Sequence, residues 1–414
     1  GDQAPQESEQ SMSDENPRVV IVGAGPAGAA LAYLLARNGV RTILLERHAD
    51  FAREFRGEGL QPSGVECLVQ MGLTEQLAAV PQTRIARVCY GLGSKLVEAP
   101  LELGELEQIR LVSQPDLLAM LTREAARSPG FELRMAAAVR GLERDSIGRV
   151  TGVRLAGGEL LAADFVIATD GRNSMVRKRL GLELEQLEQP FDVLWSRGPL
   201  AGPLARPDGA FVELLAGGGA TSIFPAPAGG HQIGVILRKG GFRALRGAGQ
   251  AVDLDWLRGR CRPEFWAMIE RARDRLERPV LLDVVCGRLP RWSTPGVLLI
   301  GDAAHPMSPI GGQGINMALR DAIVTANHLV PVLRDGADAS ALDRAAEAVE
   351  AERRPEIVAI QALQTRRGRQ FDRKPGLLQL RMMAWVLSRK ALVRMLLRQR
   401  APFGHGLVSI ALRV

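Results

Sequence analysis

The feature that most constrains this chain is the stretch PRVVIVGAGPAGAALAYLLARNGVRTILLER at residues 17–47. Its β-branched apolar run, residues 19–22, predicts a strand buried on both faces, and residues 29–38 predict a helix. A second apolar run, residues 42–45, ends at an acidic residue, Glu46. Strand, helix, strand and terminal acid in this order are typical of a dinucleotide-binding βαβ unit.

Three glycines follow the first predicted strand at GxGxxG spacing. Gly23 permits the tight turn, Gly25 lets the backbone approach a pyrophosphate, and Gly28 lets the helix pack on the strand. The helix N-terminus favours negative charge, because its N–H groups and its dipole both point at the phosphates. Glu46 is placed to accept hydrogen bonds from an adenosine ribose, and Arg47 beside it is counted with the same site. A structural turn that binds nothing is the alternative.

The chain has 414 residues, enough for two or three domains with complete cores. Hydrophobic residues make up 46% and charged residues 24%, which is ordinary for a soluble globular protein.

No apolar run reaches the ~18 residues of a membrane-spanning helix, and no signal peptide is recognised. The four cysteines show no metal-binding spacing, so we predict reduced thiols, no metal site and a cytoplasmic setting. A net charge of +7 is modest for this length, and no nucleic-acid partner is expected.

Two later loops have the composition of ligand sites at the ends of strands. The buried run 165–168 stops just before Asp170 and Gly171, and a short helix is predicted to follow. The run 297–300 stops just before Asp302, and the glycine-rich loop 311–314 then leads into a long helix. An aspartate at a strand tip and a glycine-rich loop capping a helix suit a ribityl or phosphate chain and a flat ring packed on backbone N–H groups.

Arg56 stands on a glycine-flanked loop beside the dinucleotide unit. Its guanidinium can bind phosphate oxygens with two parallel hydrogen bonds, so a phosphate clamp is one interpretation, and a solvated surface arginine is the other. Arg110 and Gln114 lead into another predicted helix, which Pro115 starts at its first turn.

The middle and the end of the chain differ from this pattern. Residues 84–101 predict strands of a small sheet, and short runs separated by Gly and Pro within residues 186–284 predict a mostly antiparallel sheet. Residues 376–399 predict an amphipathic basic helix or helix pair, in a region where nine Lys or Arg and no acidic residue follow Asp372. This helix either packs on the body of the protein or contacts a membrane surface.

Three motifs therefore stand in order: GAGPAG with Glu46, DGRNSMVRKRLG at Asp170, and GDAAHPMSPIGGQGIN at Asp302. Together they resemble the class A FAD-dependent aromatic monooxygenases, the group typified by para-hydroxybenzoate hydroxylase and ubiquinone-pathway hydroxylases. The resemblance covers about residues 17–345. It implies an α/β fold, in which a Rossmann-like FAD-binding domain with a parallel sheet carries an inserted, mostly antiparallel β substrate domain and is followed by C-terminal helices.

The resemblance also implies domain bounds and residue roles. The expected bounds are a disordered tail at 1–16, an FAD-binding domain at 17–90, 110–185 and 285–345, a substrate domain at 91–109 and 186–284, and a C-terminal helical region at 346–414. The residues implied to bind FAD are Gly23, Gly25, Gly28, Glu46, Arg47, Arg56, Arg110, Gln114, Asp170, Gly171, Asp302, Gly312, Gly314, Ile315 and Asn316. Pro306 is expected on the substrate side of the flavin ring, and Arg56 and Pro306 count as catalytic.

The implied reaction is hydroxylation of an electron-rich, hydrophobic aromatic or quinone-like ring. NAD(P)H reduces FAD, dioxygen gives a C4a-hydroperoxide, and the ring takes one oxygen atom. Only two tyrosines, Tyr33 and Tyr90, are present and neither lies in the expected substrate sheet, so His231 is the one candidate base, and a substrate that needs no base is the alternative. The expected partners are the aromatic substrate and O2, with peripheral membrane contact and a monomeric or dimeric state left open.

Other functions on this scaffold stay open. A flavin-dependent halogenase of this kind carries a WxWxIP segment, and none of the five tryptophans stands in one. A reductase is the other enzyme alternative. A non-catalytic flavin-binding protein is the alternative outside enzymes, and it is disfavoured because both flavin-ring motifs are intact.

Overall fold

The structure is a computed structural model that describes residues 19–52, 58–101, 108–215, 218–241, 254–282, 284–336, 338–369, 371, 376–389, 392 and 401–414. The predicted tail at residues 1–16 and the loop that carries Arg56 lie outside the described residues. The fold is mixed α/β, as predicted.

The described strands are, in chain order, β1 (Val19–Val22), β2 (Thr42–Leu45), β3 (Gly59–Leu60), β4 (Gln82–Arg84), β5 (Arg87–Leu92), β6 (Lys95–Pro100), β7 (Arg110–Val112), β8 (Phe131–Arg134), β9 (Val139–Arg144), β10 (Val150–Leu155), β11 (Leu160–Ala162), β12 (Phe165–Ala168), β13 (Glu185–Gln186), β14 (Phe191–Gly198), β15 (Gly209–Leu214), β16 (Ala220–Pro225), β17 (His231–Arg238), β18 (Val280–Leu282), β19 (Gly287–Arg288), β20 (Ser293–Thr294) and β21 (Val297–Leu299).

The described α-helices are α1 (Pro26–Arg37), α2 (Pro62–Gln70), α3 (Thr74–Ala79), α4 (Gln114–Ala125), α5 (Met175–Arg179), α6 (Pro263–Ala272), α7 (Gly314–Arg334), α8 (Ala339–Gly368), α9 (Leu377–Leu387) and α10 (Ala401–His405). The first helix begins three residues before its predicted start, because Pro26 occupies the first turn, where a missing N–H costs nothing.

A six-stranded sheet, in the order β20-β21-β12-β1-β2-β8, forms the centre of the cofactor half. Its pairs are parallel except for the edge pair β20–β21. All four residues of β1 are buried, which agrees with the apolar run that predicted a strand covered on both faces. Helix α1 packs against α4 and α7, so the large apolar core lies between the sheet and these helices.

A seven-stranded sheet, in the order β18-β14-β17-β16-β15-β5-β6, forms the other half and is antiparallel except for the pair β15–β5. The predicted strands over residues 84–101 are present, but β5 and β6 do not form a small sheet. Strands β5 and β6 extend the large sheet, because β5 pairs with β15 across more than a hundred residues of chain. A three-stranded sheet, β3-β7-β4, lies beside the cofactor half.

The C-terminal region divides into two parts with different contacts. Helix α9 buries Leu380 and Ala384 against Leu92 and Val97 of the seven-stranded sheet. Most of the predicted helix beyond α9 lies outside the described residues. Among the helices that the structure describes, none combines the length and the apolar character needed to cross a membrane.

Residues 406–414, here called the C-terminal strap, run back over the cofactor half. Backbone N–H groups of the strap donate hydrogen bonds to side chains of Glu356 at 2.8 Å, Gln70 at 2.7 Å and Asn327 at 2.8 Å. The end of the chain is therefore tied to helices α2, α7 and α8.

Candidate active site

The glycine turn after β1 has the conformation that its sequence requires. Gly23 has φ +105°, and a Cβ there would lie 2.6 Å from the carbonyl oxygen of Thr169. A Cβ on Gly28 would lie 2.0 Å from the carbonyl oxygen of Gly23. By contrast, a Cβ on Gly25 would meet only one atom within 4 Å, the Thr169 carbonyl oxygen at 3.9 Å. Two glycines are thus needed for packing, and the third leaves open space over the start of α1.

Glu46 at the end of β2 is 3% exposed. Its carboxylate accepts hydrogen bonds from the backbone N–H of Ala24 at 3.0 Å and of His48 at 3.1 Å. The acid is therefore fixed against the glycine turn. Arg47 points to the surface, where its Nε donates to the ring of His48 at 3.0 Å.

Asp170, just after β12, caps helix α5. Its carboxylate accepts hydrogen bonds from the Ser174 hydroxyl at 2.5 Å and from the N–H groups of Met175 at 2.6 Å and Val176 at 3.1 Å. Burial raises the pKa of the Asp170 carboxyl, and these hydrogen bonds lower it. The adjacent Gly171 has φ +81°, which glycine adopts without strain.

Arg177 of α5 connects the second motif to the third, although the sequence analysis assigned it no role. Its guanidinium donates to the carbonyl of Ala303 at 2.8 Å and to that of Arg172 at 2.5 Å. Burial lowers the pKa of Arg177, while the nearby charges of Asp170 and Asp302 raise it. The two aspartates predicted from strand ends therefore flank one buried cation.

A buried ionic cluster supports the loop that follows β21. Asp321 of α7 is fully buried and accepts hydrogen bonds from the N–H of Gly301 at 3.0 Å and from Arg353 at 2.7 Å. The ring of His305 lies 2.7 Å from the same carboxylate. Burial alone raises the pKa of Asp321, but His305 and Arg353 outweigh it and lower the pKa to about 2. Asp302 itself is half-buried on the same turn.

The glycine-rich loop before α7 leaves its backbone accessible. Gly312 has φ +60°, and Gly314 is exposed, with nothing within 4 Å of an added Cβ. Ile315 is buried in the core. The fully buried Asn316 donates from its side chain to the carbonyls of Gly59 at 3.2 Å and Gly312 at 2.6 Å. Its amide thus shapes the loop rather than pointing into open space.

The remaining predicted residues are spread over several elements. Arg110 is buried on β7 and donates to Gln82 at 3.1 Å, and Gln114 begins α4. The carbonyl of the buried Pro306 accepts from the N–H of Gly287 at 3.1 Å. Arg56 lies outside the described residues.

His231 is the half-buried first residue of β17. Burial lowers the pKa of its imidazole, and the nearby backbone of Arg206 offsets part of this effect. Side chains alternate along a strand, so its ring points to the face opposite that of Gln232.

Glu58 is the main candidate site residue that no sequence motif indicates. It precedes β3 and is 7% exposed, and its carboxylate accepts hydrogen bonds from Arg197 of β14 at 2.9 Å and from the side-chain amide of Gln232. Burial raises the pKa of Glu58, while Arg197 and Gln232 lower it. No local pattern could have found this contact, because its partners lie 139 and 174 residues further along the chain.

The residues present fit an FAD. The space above Gly25 and Gly314 is open where a phosphate chain and a flat ring would lie against backbone N–H groups. The buried Glu46 would meet the ribose, and Asp302 and Arg177 lie between the two regions. Groups that could bind both nucleotide halves of a dinucleotide therefore lie along one edge of the parallel sheet.

Comparisons with known proteins agree with this geometry. The sequence profile of the FAD binding domain family matches residues 16–238 and 243–361. The chain is 35% identical over 366 residues to 6-methylpretetramide 4-monooxygenase of Streptomyces rimosus, covering 84% of this chain and 83% of that protein. It is 29% identical over 368 residues to the ubiquinone hydroxylase UbiL of Rhodospirillum rubrum, covering 85% and 81%.

Among solved structures, PqsL of P. aeruginosa in complex with 2-aminobenzoylacetate superposes with a TM-score of 0.72 at 21% identity, covering 92% of this chain and all of that one. This likeness concerns the fold.

Proposed function

The chain belongs to the FAD binding domain family as an FAD-dependent aromatic monooxygenase, and from that premise we propose that it hydroxylates a hydrophobic, electron-rich aromatic or quinone-like molecule with NAD(P)H and O2. Two of the relatives are named as a 6-methylpretetramide 4-monooxygenase and a ubiquinone hydroxylase, which supports the proposal.

One observation carries the proposal: three motifs far apart in sequence meet at one edge of the parallel sheet. Thr169, just before Asp170, donates from its hydroxyl to the carbonyl of Gly23 at 2.6 Å. A Cβ on Gly301 would lie 3.2 Å from the Cβ of Ala27 in α1. With Arg177 bonded to Ala303, the three motifs form one continuous surface around the start of α1.

Bound FAD, reduced by NAD(P)H, supplies the activation of O2 and the transfer of one oxygen atom to the ring. In this proposal the N–H groups at the start of α1 bind the pyrophosphate, and Glu46 orients the adenosine. Asp302 holds the ribityl side, and the backbone from Gly312 to Gly314 orients the flat ring. The cluster of Phe191, Val193, Val284 and Ile310 beside this loop excludes water from the reacting atoms.

The test uses the purified full-length protein loaded with FAD. Acid precipitation is expected to release all flavin into the supernatant, since no His or Cys stands in an attachment pattern next to the glycine motif. With an accepted aromatic compound and isotopically labelled O2, the product is expected to carry one labelled oxygen atom while NAD(P)H is consumed. A halogenated product, or NAD(P)H consumption without any oxygenated product for every ring tried, would contradict the proposal.

A second property is favoured by the outer face of α9. Leu378, Met382 and Trp385 are 82%, 61% and 55% exposed and follow one another at helical spacing on the side away from the buried Leu380. The chain after Asp372 carries nine basic and no acidic residues. We propose that this face contacts anionic lipid surfaces, where each nearby basic residue contributes ~1 kcal/mol.

Sedimentation with anionic vesicles at low salt tests this contact. The double variant Leu378→Ser/Trp385→Ser is expected to sediment less than wild type. The matched control is Leu160→Ser, which replaces a leucine 51% exposed on β11, far from α9 in the sequence. If the wild-type protein stays in the supernatant, the contact does not exist.

A further inference from the structure

Three neighbouring strands place six residues, one of them a glycine, in one patch on a single face of the seven-stranded sheet. In the strand pairing, Gly234 of β17 lies opposite both Trp195 of β14 and Ser222 of β16. Two residues earlier, Gln232 lies opposite both Arg197 and Phe224. Cross-strand partners share a face, and residues two apart on a strand do so as well. The patch is therefore a grid of two rows of three.

The opposite face of the same strands is already covered. Leu194, Ile223 and Ile233, which alternate with the patch residues, are buried against Phe265 and Met268 of helix α6. The patch is different, because its aromatic residues Trp195 and Phe224 are only half-buried. Its rings thus remain accessible although they are large and apolar.

Two contacts show that the patch faces the cofactor half. At one end, Arg197 and Gln232 donate hydrogen bonds to the carboxylate of Glu58. Glu58 is the residue immediately before strand β3. On the other side, Trp195 and Ile310, the residue just before the glycine-rich loop, both pack against the cluster of Phe191, Val193 and Val284. The patch therefore borders the loop on which the flavin ring is proposed to lie.

Glycine at position 234 leaves room for the side chains of Trp195 and Ser222. A Cβ there would lie 3.2 Å from two ring carbons of Trp195 and 2.6 Å from the hydroxyl oxygen of Ser222. The indole thus lies across the glycine backbone. The ring centroids of Trp195 and Phe224 are 6.4 Å apart with planes inclined by 45°. A flat ring stacked on one of them is inclined by 45° to the other, so it can stack on the first and contact the second in a tilted arrangement.

We propose that Trp195 and Phe224 form a specificity-determining platform that binds a fused-ring aromatic substrate, with an oxygen-bearing edge of that substrate directed at Arg197 and Gln232. This rests on the proposed function and names its substrate class. A fused system can stack on the indole and still contact the second ring, whose centroid is 6.4 Å away, which gives it more contact area than a single ring has. Because Glu58 and Arg197 carry opposite charges, this end of the patch offers hydrogen bonds without net charge, and it favours phenol or carbonyl oxygens over a carboxylate.

The experiment titrates FAD-loaded protein with alizarin, a three-ring dihydroxyanthraquinone, and with para-hydroxybenzoate, a single ring with a carboxylate, by calorimetry. Wild type is expected to bind alizarin more tightly. Trp195→Leu is expected to weaken alizarin binding about tenfold, since it removes the stacking surface, while Trp195→Phe restores part of it. Gly234→Ala is expected to weaken binding by displacing the indole. Trp256→Leu is the matched control, because Trp256 packs on the α6 side of the sheet.

The platform is overturned if Trp195→Leu binds alizarin as tightly as wild type, if wild type does not bind alizarin, or if para-hydroxybenzoate binds equally well. FAD content and NAD(P)H oxidation measured on the same samples keep the two proposals apart. If only the platform proposal is wrong, the wild-type protein still contains FAD and still oxidises NAD(P)H. If the proposed function is wrong, the protein lacks FAD or does not consume NAD(P)H.

Discussion

The guanidinium of Arg197 donates a hydrogen bond to the carboxylate of Glu58 at 2.9 Å, joining the two halves of the molecule. Glu58 immediately precedes strand β3. The side chain of Asn316 links β3 to the glycine-rich loop, because it donates hydrogen bonds to the carbonyls of Gly59 and Gly312. Arg197 stands on the sheet that carries the aromatic platform. This contact therefore sets the distance between the proposed flavin site and the proposed substrate site.

A pH dependence of stability follows from Glu58. Burial raises its pKa in the folded protein, so the folded state binds the proton more tightly than the unfolded state. The resulting stabilisation is complete below the unfolded pKa of about 4.3 and is lost as the pH rises through the folded pKa. Glu58→Gln is expected to flatten the fall in stability over this range, measured by urea unfolding at a series of pH values.

The matched control for this experiment is Glu98→Gln, which changes an exposed glutamate on β6. It is expected to leave the slope of stability against pH as in wild type. An unchanged slope in Glu58→Gln would show that folding does not raise the pKa of this carboxyl.

The glycine turn predicts opposite outcomes for two similar changes. Gly25→Val is expected to fold but to lose FAD, because the new side chain enters the space reserved for the pyrophosphate. Gly28→Val is expected to destabilise the protein itself, because even its Cβ would lie 2.0 Å from the Gly23 carbonyl oxygen. Flavin absorbance and thermal unfolding of the flavin-free proteins distinguish the two. Equal melting temperatures would contradict the packing role of Gly28.

Asp302→Ala is expected to lose FAD or to release peroxide in place of product, because the ribityl side of the cofactor loses its acceptor. The measurement combines flavin content with the ratio of product formed to NAD(P)H consumed. Asp335→Ala, an exposed aspartate at the end of α7, is the control. Full affinity and full coupling in the Asp302 variant would show that the third motif has been assigned wrongly.

Asp321→Asn is expected to lower the free energy of unfolding by about 3–5 kcal/mol, because it leaves the fully buried Arg353 without one of its carboxylates. The lowered pKa of Asp321, about 2, means that its stabilising effect is present above the unfolded pKa and is lost as the pH falls towards 2. Glu352→Gln, which breaks a more exposed pair with His328, is expected to cost less than about 1 kcal/mol. Equal costs would refute the importance of burial here.

Removing residues 406–414 is expected to lower the melting temperature and weaken flavin retention. The strap donates to Glu356, and Glu356 in turn holds Arg320 and Arg353 of the buried cluster. The point variant Asn327→Ala, which removes the two strap hydrogen bonds of Asn327 and leaves those of Glu356 and Gln70, is expected to have a smaller effect of the same sign. A truncated protein with wild-type melting temperature would show that the strap is only an appendage.

The sequence alone determined the elements whose causes are local. The strands Val19–Val22 and Thr42–Leu45 have the bounds that their apolar runs predict. The turn between them follows from glycine spacing, since Gly23 and Gly28 have no room for a side chain. The order of three such motifs also sufficed to predict the fold class and the FAD-dependent monooxygenase family, which the matches confirm.

Only the tertiary structure decided the contacts between distant residues. Glu58 precedes a two-residue strand and carries no motif, yet it is buried because two sheets close over it. Trp195 belongs to an ordinary strand pattern, and its access to the cofactor side depends on Gly234, a residue 39 positions away that the sheet places opposite it. Local propensity describes which segments form strands and helices. The pairing and facing of these segments depend on burial summed over the whole molecule, which no single stretch of sequence contains.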